Sequence, residues 1–234
     1  MKKYVALMLA VLVMCAVCAV GLADGEGSVV QSSCNIVKSG DYYLVYCYAQ
    51  VHNNSDHIIC LDEGVFELSS GEQLLYSGAV SQLWPYFIAP GEDGYVFDIA
   101  SFEPNEDGIV VPNVTGIHYN IKYMTIDPAY AGQKLQVAAR LEQGASADDL
   151  AVVCEVYNPA RMDAYDATVS FGLYTAGGSM IYADGKTLQG VGIPAGGTVL
   201  VRFDIDELFA QQWQSYGAAP AEVRATAMFR SNDD

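Results

Sequence analysis

The chain has 234 residues, of which 52% are apolar and 17% charged; 28 acidic side chains face 11 basic ones, for a formal net charge of −17. A surface this acidic repels phosphate backbones and anionic membrane surfaces, which excludes nucleic acid as a partner. The charge implies solubility and carries no information on fold.

Met1-Lys2-Lys3 followed by the apolar run Tyr4–Val20 predicts a secretory signal peptide over residues 1–23, with small Gly21 and Ala23 placing the cut after Ala23. An apolar run of about 20 residues also just spans a bilayer, so an uncleaved anchor is the alternative, and membrane association is expected only through this segment. Cys15 follows Met14 and Cys18 follows Val17, bulky residues where a lipid-attachment site needs small ones. Cleavage removes Lys2 and Lys3 and no acid, leaving the mature chain more negative still. The expected location is extracytoplasmic, secreted or at the cell surface. Export permits disulfides, and the mature part holds Cys34, Cys47, Cys60 and Cys154.

From Val45 the pattern Val45-x-Cys47-x-Ala49-x-Val51 alternates with period two, the signature of a strand with one buried face. The opposite face of this strand then carries Tyr42, Leu44, Tyr46 and Tyr48. Asn53–Asp56 is a turn cluster. Phe66 and Leu68 share a face of the next strand. Trp84-Pro85-Tyr86-Phe87 forms a second aromatic group, and Pro90–Gly94 is turn chemistry before Tyr95-Val96-Phe97. Pro and Gly interrupt the pattern between Ile126 and Gly132.

Beyond this break the pattern recurs. Val51-His52-Asn53 returns as Val156-Tyr157-Asn158, and Phe66 and Leu68 as Phe171 and Leu173, an offset of 105 (156 − 51 and 171 − 66). Tyr76/Tyr182, Pro90/Pro194 and Phe97-Asp98-Ile99/Phe203-Asp204-Ile205 fall within one residue of it. Short strands with turns at about 8–12-residue spacing indicate sandwiches. The expectation is all-β: an N-terminal signal peptide, an immunoglobulin-like β-sandwich domain over 29–126, a linker at 127–134 and a second such domain over 135–232. Short helical turns are expected only near 128–132 and 206–213.

The strand ending in an Asn turn, then Phe171-Gly172-Leu173-Tyr174, a Gly turn and a Pro-Gly turn, resembles the FxLYD-type immunoglobulin-like domains of exported prokaryotic proteins. Thr175 stands where that motif has Asp, and Phe66-Glu67-Leu68-Ser69 lacks the Tyr. The resemblance implies a fold and an exported setting. It supplies no catalytic residue.

No Gly-x-Ser-x-Gly elbow and no phosphate-cradling loop with Lys is present, and Gly177-Gly178-Ser179 reads as a hairpin turn. No enzyme activity and no cofactor are expected. His52, His57 and Cys60 surround one turn, so a metal-dependent enzyme or sensor using His52 and His57 is one alternative. The acidic loop 103–108 offers oxygen ligands for Ca²⁺ without the full ligand spacing. The leading expectation is a binding or spacer module with a protein or glycan partner at the cell surface, its candidate surface being Tyr42, Tyr46, Tyr48, Trp84 and Tyr86. Tyrosine gives large, rigid contact area with a polar tip. A purely structural role, with the stripe covered by a neighbouring strand or by the other domain, is the second reading. For the cysteines, counting by twos from Val51 and back from Phe66 predicts a Cys47–Cys60 bridge. A turn over 38–41 would set Cys34 opposite Val45, and Cys154 is expected as a buried thiol. Four reduced, buried cysteines are the alternative.

Overall fold

A computed structural model describes residues 27–103, 112–128, 132–146 and 148–229. The leader and all but the first residue of the acidic loop 103–108 lie outside the described residues. The first half contains β1 (Gly27–Ser39), β2 (Tyr42–Asn53), β3 (Ile58–Ser70), β4 (Gln73–Ala79), β5 (Leu83–Trp84), β6 (Phe87–Ile88), β7 (Asp93–Phe102) and β8 (Gly116–Ile126). The second contains β9 (Gln133–Gln143), β10 (Leu150–Tyr157), β11 (Thr168–Thr175), β12 (Met180–Thr187), β13 (Thr198–Ile205), α1 (Glu207–Ser215) and β14 (Pro220–Phe229). The pairing between these strands is antiparallel.

In the first half, one sheet runs β1-β2-β7-β5 and a second is built on β3, flanked by β4, β6 and β8. Period-two alternation sends Val45, Cys47, Ala49 and Val51 inward from β2, where they meet Ile59, Phe66, Leu68 and Ile117 from the other sheet. In the second half, β9 pairs with β14 through Gln133–Leu135 and with β10 from Gln136 onward, so one long strand serves both layers. Val152, Cys154 and Val156 meet Phe171, Leu173 and Phe203 there. The architecture is all-β and sandwich-like, with one helix among the described residues. That helix is capped by Asp206, whose carboxylate accepts from the Leu208 amide at 2.9 Å.

The repeat noticed in the sequence corresponds to a repeated hydrogen-bond network. Asn53 Nδ2 donates to the carbonyls of His57 (2.7 Å) and Ile88 (2.9 Å), while its Oδ1 accepts from the Ser55 amide. Asn158 Nδ2 donates to the carbonyls of Met162 and Ile193, both at 2.9 Å, and its Oδ1 accepts from the Ala160 amide. Both backbones also accept from a glycine amide, Gly91 or Gly196, in the turn leading to β7 or β13. Each carboxamide is fully buried and ties the end of one strand to the two turns that flank it. Phe66/Phe171 and Leu68/Leu173 are buried at matching places, and Tyr76 and Tyr182 hold matching register positions opposite Leu68 and Leu173.

Two of the sequence matches are displaced by one residue. Cys47 of β2 faces Asp98, whereas its equivalent Val152 faces Phe203, so Asp98 and not Phe97 is the counterpart of Phe203. Phe97 points toward the second half, while Phe203 lies inside its own core; the Phe-Asp-Ile identity crosses opposite faces of the sheet. The Asn networks likewise align Ala89, not Pro90, with Pro194.

This shift leaves a carboxylate in the first core. Asp98 Oδ1 accepts from the Ser81 amide and hydroxyl, both at 2.8 Å, and Oδ2 is buried without a partner. Burial raises its pKa above 3.8, with the Ser81 hydrogen bonds pulling the other way. A carboxyl raised in the folded state contributes fully below its unfolded value, and that contribution is lost as pH rises through the folded value. Asp98→Asn is therefore expected to be more stable than the parent at pH 7, with the difference shrinking toward pH 3, as read by urea unfolding across pH. Asn53→Ala and Asn158→Ala should each cost about 1–3 kcal/mol, and Phe171→Ala about 3–5 kcal/mol, in the same assay.

Candidate functional site

The tyrosine stripe of β2 does point away from the core of its own half, but the second half covers most of it. Tyr48 is 0% exposed and its ring lies 5.1 Å from that of Tyr182. Tyr46 is half-buried and meets Phe209 of α1 edge-on at 4.9 Å. Of the stripe's tyrosines only Tyr42, 46% exposed, is open. Tyr46 and Tyr48 therefore form an internal joint and not an external binding surface, because aromatic area placed opposite aromatic area leaves water.

Polar groups fix the alignment of that joint. Asn35 of β1 donates to the Ile181 carbonyl at 3.0 Å and accepts from Trp213 Nε1 at 3.0 Å. Gln31 bonds both the Gly178 carbonyl and the Met180 amide. The Tyr174 hydroxyl donates to Gln50 Oε1 at 2.8 Å, the Tyr95 hydroxyl donates to the Arg224 carbonyl, and the Arg224 guanidinium lies over the Tyr174 ring. Burial pushes the Tyr174 phenol up to about 12, against the pull of Tyr95 and Arg224, so it remains a donor at any ordinary pH. Tyr174 is the tyrosine singled out by the Phe-x-Leu-Tyr resemblance.

Trp84, the next sequence candidate, is also buried. It packs on Gly185 of β12, where any Cβ would sit 2.7 Å from Trp84 Cγ. Trp84 is thus a second anchor between the halves. A cis Trp84–Pro85 bond follows it, and the next residue, Tyr86, is 50% exposed.

Tyr86 stands at a cleft of about 800 Å³ between the two halves. Its polar lining comes from Ser81, Gln82 and Tyr86 of the first half and from Tyr165, Asp166, Thr168, Thr187 and Gln189 of the second; Cys60, Leu61, Leu83, Phe87 and Met228 supply the apolar wall. Tyr165 is 53% exposed and lies against Gly192, where a Cβ would approach its ring to 2.7 Å. Asp166 adopts φ 50° and accepts from the Gly190 amide at 3.0 Å, which fixes the loop carrying Tyr165. The Thr187 hydroxyl is buried without a partner. Two phenol rings, two carboxamides, three hydroxyls and one carboxylate thus share one opening. Clefts of this size where packed units meet are among the places where ligands bind. The sequence reading found Tyr86 and missed Tyr165; the available signal was an aromatic residue set between Asp163 and Asp166 in a turn.

The histidines go elsewhere. His52 Nδ1 lies 2.8 Å from Asp93 Oδ1 and His57 Nε2 lies 3.0 Å from Asp56 Oδ1. Among the described residues no group of three or more His, Cys, Asp or Glu side chains is placed to hold a metal ion, so the His52/His57 metal reading finds no support. Among the described residues, no helix is long and apolar enough to cross a membrane.

The strands do not bring Cys47 and Cys60 together: Cys47 stands opposite Cys34 and Asp98, and Cys60 opposite Phe87 and Met124. A register shift between Leu61 and Glu63 inverts the alternation of β3, burying Ile59 and turning Cys60 toward the cleft. Comparison with protein-family models finds none that matches, and no curated protein matches the chain.

Tyr48→Ser is expected to lower stability by several kcal/mol, on the order of other large aromatic truncations. Gly185→Val should do the same by displacing Trp84. A thermal melt of either variant within about 1 °C of the parent would contradict the joint.

Proposed function

We propose that the protein is a non-enzymatic, extracytoplasmic binding module of two tandem immunoglobulin-like units, whose ligand is a neutral glycan held in the cleft between Tyr86 and Tyr165. The carrying observation is the pairing of two half-exposed phenol rings, one from each half, over a mixed lining in which hydroxyl and carboxamide groups stand among apolar side chains. Aromatic faces take the apolar faces of sugar rings, and Gln, Ser and Thr side chains exchange hydrogen bonds with sugar hydroxyls without demanding charge. A net charge of −17 disfavours anionic polymers in the same place.

The two-unit reading is supported by the matching Asn53 and Asn158 networks, and the FxLYD-type resemblance by Phe171, Leu173 and Tyr174 on β11. The exported setting rests on the leader sequence. A spacer role without ligand is the second reading, favoured by the buried joint, which holds the halves in one arrangement.

Titration calorimetry against neutral oligosaccharides of several linkages separates the two. The binding reading expects one family of saccharides to bind, and Tyr86→Ala or Tyr165→Ala to weaken it at least tenfold while leaving the melting temperature nearly unchanged. Absence of binding across the panel, or binding indifferent to both substitutions, would leave the spacer reading.

A further inference from the structure

Cys34 and Cys47 stand directly opposite each other on β1 and β2. A four-residue turn over 38–41 would set Cys34 one pleat away, opposite Val45. The turn is shorter: Ser39 pairs with Tyr42, and only Gly40, at φ 61°, and Asp41 lie between. Opposed residues of an antiparallel pair project from the same face with Cα atoms about 4.5–5.5 Å apart, within the range that an unstrained disulfide accepts. Both side chains enter the first core, 4% and 0% exposed. Neither remaining cysteine has a thiol opposite it: Cys60 faces Phe87 and Met124, and Cys154 faces Ala139 and Val201.

We propose that Cys34 and Cys47 are a disulfide-forming pair, joined across the β1–β2 hairpin while the chain folds. The inference uses the exported setting proposed above for its oxidant in the cell; the geometry is independent of it. One cysteine thiolate attacks the disulfide of a thiol–disulfide carrier and displaces one carrier sulfur. The second cysteine thiolate then attacks the mixed disulfide and displaces the other. One S–S bond forms in the protein and one breaks in the carrier, which leaves as a dithiol with the two electrons and two protons. Burial, followed by the neighbouring Cys34 and Asp98, holds the Cys47 thiol well above its ordinary pKa. Thiolate is therefore scarce once the core has closed, and exchange belongs to the folding chain. The linked hairpin is the one that carries Asn35 and Tyr48 to the joint.

The test is refolding of the full chain from denaturant in a reduced and oxidised glutathione buffer, followed by alkylation and peptide mapping without reductant. The expected product is one linked peptide pair, Cys34 to Cys47, with Cys60 and Cys154 alkylated. Its melting temperature should exceed that of the reduced protein by about 5–10 °C. In Cys34→Ala no other cysteine should take over the link to Cys47. Four alkylated cysteines after oxidative refolding, or a link through Cys60 or Cys154, would overturn the pairing. A bond that forms in the glutathione buffer while the protein taken from its own cells is reduced would overturn the exported setting and leave the pairing standing.

Discussion

The outer face of the β1-β2-β7 sheet is too aromatic to stay in water, and the remaining architecture follows from where that face is buried. Tyr46, Tyr48, Tyr95 and Phe97 point out of the first core, and β11, β12 and α1 of the second half close over them. Tyr48 and Tyr95 thereby belong to the apolar cluster of the second half although they lie in the first. Burial alone has no direction, so hydrophobic contact would allow the two halves to slide. Asn35, Gln31 and Gln50 remove that freedom, because each places a carboxamide that is satisfied in one alignment only. The cleft is a consequence of this alignment. Its two tyrosines come from different halves and share one opening only while the joint holds them there.

Gly172 and Gly185 show how the sequence accommodates such close approach. The Tyr95 ring lies where a side chain on Gly172 would be, and the Trp84 ring where one on Gly185 would be. Both glycines face large aromatics from the opposite half, so removal of a side chain on one side admits one on the other. The Trp84–Tyr86 segment then does two things in succession: Trp84 anchors the first half to β12, and Tyr86 enters the cleft.

The all-β class and the inward face of β2 were legible in the sequence, because period-two alternation survives wherever strands are regular. Val45, Cys47, Ala49 and Val51 are all fully buried, as the alternation requires. The repeat was legible through Asn53 and Asn158, although only the structure explains the Asn: it satisfies two turns at once. Legibility failed where one residue is inserted or lost. The register shift after Leu61 reversed the face of Cys60, the short Gly40-Asp41 turn moved Cys34 opposite Cys47, and Phe97 matched Phe203 in letters but not in face. The cleft was half legible. Tyr86 stood out in an aromatic run, but its partner Tyr165 is distant in sequence and carries no periodic signal. That the stripe is an inter-half contact was open in the sequence, since an outward tyrosine face serves a ligand or a neighbouring domain equally well.

If the tyrosine face joins the two halves into one cooperative body, they unfold together. Scanning calorimetry of the full chain, with fluorescence of Trp84 in the first half and Trp213 in the second recorded over the same range, tests it most directly. A single transition is expected, coincident by both probes, with calorimetric and van't Hoff enthalpies equal. Two separate transitions, or a first half that melts while Trp213 remains buried, would contradict it.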